Sequence, residues 1–139
     1  DLDLSLATWP AVGTPEQLVT LSLRHPHAGE NRLLDRILAN DDFRQRYEAI
    51  VRAMFEQHFQ KDKLLAGLEP IEEALKAPAE REQAAAAKRG EKKGGFGFGG
   101  MQFGQSMPPR SFIDQRIESI QSQLSGTSDG YVPKAFGAG

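Results

Sequence analysis

The chain contains no cysteine, which excludes disulfide frameworks and thiolate metal sites but leaves the compartment open. No apolar run approaches the roughly 20 residues that a membrane-crossing helix needs, and no signal-peptide pattern opens the sequence. An excess of one charge is also lacking, since 17 basic and 19 acidic side chains leave a net charge of −2. So small an imbalance gives no long-range field to draw in nucleic acid or an acidic membrane surface, and neither is expected as a partner. Histidine is scarce, with three in the chain, and no serine–histidine–acid arrangement has supporting spacing. Recognition must therefore be local.

What is present suits an ordinary soluble domain: 139 residues, 39% hydrophobic and 26% charged, enough for a single core. The sequence opens on Asp1 rather than methionine, so a preceding segment is expected. Asp1-Leu2-Asp3-Leu4-Ser5-Leu6 alternates polar and apolar residues, the period of a half-buried strand. Residues two apart on a strand project to one side, so Asp1 and Asp3 could meet one cation, with Ser5 extending the polar face. From Trp9 to Glu30, prolines and glycines break the pattern, and an ordered loop is expected. Within it, Thr14-Pro15-Glu16-Gln17 carries the signature of a short capped helix.

Helices dominate the chain beyond Glu30. Asn31 is expected to cap a short helix carrying Leu33, Leu34, Ile37 and Leu38 on one face. Asn40-Asp41-Asp42 interrupts it and caps a second, from about Phe43 to Phe59. Its apolar stripe is Phe43, Tyr47, Ile50, Val51, Met54, Phe55 and Phe59, and Phe55 reads as a buried aromatic. A third helix is expected to start at Asp62, with Pro70 kinking or splitting it. Ala79 to Lys93 favours helix but offers little apolar surface to bury. Lys88 to Pro109, with its glycine–phenylalanine stretch, reads as a mobile insertion. A last helix is expected from an N-cap at Ser111, with Asp114 in its first turn. Its apolar stripe is Phe112, Ile113, Ile117, Ile120 and Leu124, and Gly126 is its stop. Residues 1–139 thus read as one partial domain: strand and loop to 30, helical core at 31–77, insertion at 78–110, closing helix and tail from 111.

Other candidate sites are weaker. His25-Pro26-His27 invites a zinc reading, but no third ligand stands nearby in the sequence and an exposed loop is favoured. His58 borders the apolar stripe of its helix. Gly95-Phe96-Gly97-Phe98-Gly99-Gly100 lacks the strand–loop–helix context of a phosphate cradle and the arginines of an RNA-binding repeat.

Three segments in order resemble the CotH family of spore-coat-associated atypical protein kinases. They are Asp1-Leu2-Asp3-Leu4-Ser5; then Asn31-Arg32-Leu33-Leu34-Asp35-Arg36-Ile37-Leu38 running into Phe43-Arg44-Gln45-Arg46-Tyr47; and Phe112-Ile113-Asp114-Gln115-Arg116-Ile117 continuing to Gly126. The family has an aromatic and a glycine soon after the second aspartate, where this chain has Leu6 and Ala7. The resemblance implies a mainly α chain: the helical C-lobe fragment of a kinase-like fold, with a short N-terminal strand and a long glycine-rich insertion. It implies Mg2+ and ATP as cofactors, a protein substrate phosphorylated on serine, and an N-terminal kinase lobe not contained in this chain. Asp1 and Asp3 are then the metal residues, and no catalytic residue lies in the fragment. The family is bacterial, with many exported or surface members, which leaves localisation open. The alternative is a non-catalytic helical interaction or surface-structural module.

Overall fold

The computed structural model describes residues 13–25, 27–90, 97–98, 101–102 and 107–135. The strand expected at Asp1 to Leu6, and with it the Asp1–Asp3 pair, lies outside the described residues. Within them the chain is mainly helical, in the order α1 (Pro15–Leu18), α2 (Arg32–Ala39), α3 (Asp41–His58), α4 (Lys61–Arg89), β1 (Gly97–Phe98), β2 (Met101–Gln102) and α5 (Pro109–Leu124).

The first three helices start where local chemistry directs. At α1 the Thr14 hydroxyl accepts from the Gln17 amide, while the Gln17 side chain accepts from the Thr14 amide at 3.0 Å, a reciprocal capping box. Asn31 caps α2 by accepting from the Leu34 amide. The side chain of Asn40 accepts from both Asp42 and Phe43, so the turn between α2 and α3 is itself the second cap.

Three local expectations are corrected. Pro70 does not split the third helix: α4 runs unbroken through both Pro70 and Pro78. Each proline removes one backbone donor, and the carbonyls left over, those of Ala66 and Ala74, belong to exposed residues that water can reach. Ser111 is not the cap of the last helix. Pro108 holds that place and Pro109 opens the helix, where a missing N–H costs nothing, so Ser111 and Asp114 fall inside it. Ser111 Oγ instead accepts from Gln115 one turn on. The segment expected as one mobile insertion begins as helix, since Lys88 and Arg89 close α4 and Gly90 caps it at φ 68°. Farther along, Gly97 pairs with Gln102 and Phe98 with Met101 in an antiparallel hairpin.

α2 packs on α3, and α5 packs on both α3 and α4. α4 and α5 run antiparallel. Lys61 at the start of α4 pairs with Asp114 at 2.8 Å, and Glu72, three turns on, takes both Nε and a terminal nitrogen of Arg110. Both pairs are exposed and serve register more than stability.

The buried residues are not on α2, α3 or α4. They are Val19 and Ser22 in the segment after α1, Met107 before α5, and Ser119, Ile120 and Gln123 on α5, joined by Pro133 of the tail. Phe55 is half buried rather than enclosed, stacked on Phe59 with centroids 6.5 Å apart. Phe43, Ile50 and Met54 of the same stripe are exposed, as are Leu33 and Ile37 of α2. α3 therefore carries two apolar faces, one turned toward α5 and one open.

The core depends on close approach at Gly130. This glycine sits at φ 74°, and a Cβ there would fall 2.6 Å from Gln123 Nε2 and 2.7 Å from the Thr20 carbonyl oxygen. Gly67, inside exposed α4, has open space around it. Gly130→Ala is expected to lower unfolding free energy by about 2 kcal/mol or more, from left-handed strain plus the clash. Gly67→Ala should raise it by about 0.5–1 kcal/mol. Urea denaturation of the two variants checks both signs; a Gly130→Ala chain as stable as wild type would contradict the packing described.

Candidate functional site

Two polar side chains of α5, Arg116 and Gln123, converge on the segment between α1 and α2. α1 ends after Leu18, and the carbonyls at and after its C-cap need donors. Arg116 supplies them, one terminal nitrogen donating to Val19 O at 3.2 Å and to Leu21 O at 2.7 Å. Burial pushes the Arg116 guanidinium below its ordinary value, partly offset by Tyr47. It remains charged at any physiological pH.

About two turns along, Gln123 uses both ends of its amide. Its oxygen accepts from the Leu23 amide at 2.7 Å, and its nitrogen donates to Ser119 Oγ at 3.0 Å and to Leu21 O at 3.2 Å. The tail completes the junction, with Ser22 N–H donating to Tyr131 O and Tyr131 N–H to Thr20 O, a parallel bridge. From the other side, Tyr47 of α3 donates its hydroxyl to Leu23 O at 2.6 Å, while Glu48 pairs with Arg24 at 2.8 Å. A small cleft lies here, lined by Leu23, Tyr47, Val51, Gln123, Leu124 and Asp129. The junction holds chain in place: its side-chain bonds go mainly to backbone.

A second cluster stands on the loop leading into α2. His25 and His27 face each other with ring centroids 3.8 Å apart, and Asp35 comes up from the first turn of α2. One ligand atom from each of the three lies within 4.8 Å of the others. The exposed loop expected from the sequence is corrected at His27, whose side chain is only 13% exposed. The sequence hid this grouping because Asp35 is eight residues beyond His27, brought back by a turn at Gly29, whose φ is 69°. His58 is exposed at the end of α3 and belongs to neither cluster. Asp1 and Asp3 lie outside the described residues and are not placed beside either.

The Tyr47 contact has a pH signature. Burial is the main cause raising its phenol above the ordinary value of 10.0; Arg116 pulls it down and Glu48 adds to the rise. The folded chain thus keeps a proton that the unfolded chain releases above pH 10. The stability this contributes is fully present below pH 10 and is lost as pH climbs through the folded value. The stability gap between wild type and Tyr47→Phe should therefore be constant through neutral pH and narrow above pH 10. Denaturant titrations at a series of pH values measure it, and a gap that widens there would contradict the assignment. Compared with known proteins, this chain matches no family model, no curated protein and no solved structure.

Proposed function

We propose that the chain is the helical C-terminal part of a CotH-type atypical protein kinase, which transfers phosphate from Mg-ATP to serine in protein substrates. In this reading Asp1 and Asp3 hold the divalent ion. Magnesium prefers hard oxygen ligands and commonly takes one or two protein carboxylates together with substrate phosphates. The ion would neutralise charge on the phosphates being transferred. The nucleotide-contacting lysine and the catalytic aspartate belong to an N-terminal lobe outside this chain.

The observation that carries the reading is the anchoring of segment 19–23 to α5. That segment begins 16 residues after Asp3 in the sequence, and Arg116 and Gln123 hold it to the helix that resembles the closing helix of the family. A carboxylate pair positions a metal best from a scaffold that is itself held, and residues 19–23 are held in this way. The open apolar residues of α2 and α3, among them Leu33, Phe43, Ile50 and Met54, suit coverage by the N-terminal lobe. The same residues support the second reading, a non-catalytic helical interaction module.

Labelled ATP and the full-length protein separate the two. Mg2+-dependent phosphoryl transfer to protein is expected, with Asp1→Ala and Asp3→Ala each lowering it by about two orders of magnitude or more. Transfer that survives both substitutions would remove the site assignment. A full-length protein that neither binds Mg-ATP nor transfers phosphate would favour the interaction module.

A further inference from the structure

We propose that His25, His27 and Asp35 form a zinc site that ties the loop after α1 to the first turn of α2. Four observations converge on it, none of which involves Asp1, Asp3 or the kinase reading.

The first is the state of the His27 ring. Its Nδ1 lies 3.0 Å from the carbonyl oxygen of Gly29. A carbonyl only accepts, so Nδ1 carries the hydrogen, and in the neutral ring Nε2 presents its lone pair. Metal-binding histidines are held in this way, the far nitrogen donating to a backbone carbonyl so that tautomer and ring orientation are set in advance. The second is the state of Nε2, which is buried and has no hydrogen-bond partner among the described residues. An orphaned buried polar atom on a side chain otherwise well held calls for an explanation.

The third is the geometry around that atom. Asp35 Oδ1 is 3.6 Å from His27 Nε2, and the same oxygen is 3.8 Å from His25 Nδ1. Both separations exceed a hydrogen bond. With metal–ligand bonds of about 2.0–2.2 Å, tetrahedral coordination places neighbouring ligand atoms about 3.4 Å apart. A cation between these groups would need the two carboxylate–imidazole separations to close by a few tenths of an ångström, and all three ligand atoms already lie within 4.8 Å of one another. His25 and Asp35 are the more exposed two and are free to adjust, whereas His27 is fixed. The fourth is the donor set. Two imidazole nitrogens and one carboxylate exclude magnesium and calcium, which require oxygen, and suit zinc with water in the fourth position.

The site would brace more than its own loop. The Gly29 amide donates to Pro133 O at 3.4 Å, and a Cβ on Gly29 would stand 3.0 Å from that of Ala135. The two histidines therefore sit on the loop against which the C-terminal tail is laid.

The test is a Zn2+ titration of the untagged, chelator-treated full chain by calorimetry, with thermal unfolding as a second readout. One equivalent should bind and raise the unfolding midpoint, and Co2+ should give the visible absorption of a four-coordinate site. His25→Ala, His27→Ala and Asp35→Asn should each weaken binding about 10–100-fold, while His58→Ala leaves it unchanged. Asp35→Asn alters an exposed side chain, so it serves even if His27→Ala fails to fold. Equal Zn2+ affinity in wild type and Asp35→Asn, or no Zn2+ binding beyond that of Mg2+, would overturn the site. In the latter case the three residues are a histidine–carboxylate cluster with no metal to hold. Neither outcome bears on phosphoryl transfer, which Asp1 and Asp3 test separately.

Discussion

The described structure depends on the hydrogen bonds by which Gln123 and Arg116 of α5 hold the backbone of residues 19–23. Few apolar side chains are buried among the described residues: Val19 in this segment, Ile120 on α5 and Met107 just before it. Burying Val19 and Ile120 contributes about 1.5–3 kcal/mol each. That gain is available only if the backbone polar groups around them also find partners, since each buried group left unmet costs about 1–3 kcal/mol. Gln123 and Arg116 between them meet the Leu23 N–H and the carbonyls of Val19 and Leu21. Apolar burial and polar satisfaction are thus one event at this junction. The tail joins it through Tyr131, and the bare Cα of Gly130 lets it come close enough to do so.

This constraint also organises what surrounds it. α3 reaches the junction through Tyr47 and the Arg24–Glu48 pair, and α4 reaches it through α5 alone. Away from the junction, apolar residues stand in the open, Ile71 and Leu75 on α4 and Ile50 and Met54 on α3 among them. The described residues are thus organised around the closing helix. Segment 19–23 is held at once by Arg116 and Gln123 of α5, Tyr47 of α3 and Tyr131 of the tail.

The chemistry legible in the sequence is the chemistry that stays local. Thr14 with Gln17, Asn31 and Asn40 announce helix starts because the bonds they make span three residues or fewer, and Gly126 marks an end for the same reason. Pro109 carries an equally local signal for α5, but Ser111 offers a competing one two residues on, and the serine is the misleading cue. Pro70 and Pro78 mislead in the other direction, because an exposed helix can leave the lost bond to water. The junction itself is hidden. Arg116 and Gln123 look like solvent-facing residues between apolar ones, and their partners stand about a hundred residues away. Asp35 is hidden on a smaller scale, reaching the histidines only through the turn at Gly29.

Amide hydrogen exchange at Ser22, Leu23 and Tyr131 tests the junction most directly, since these N–H groups donate to Tyr131 O, Gln123 Oε1 and Thr20 O respectively. If the closing helix clamps the segment as described, the three amides exchange as slowly as those in the middle of α5 and open together with it. Exchange at free-chain rates while α5 stays protected would mean that the helix forms without holding the loop, and the account would fail.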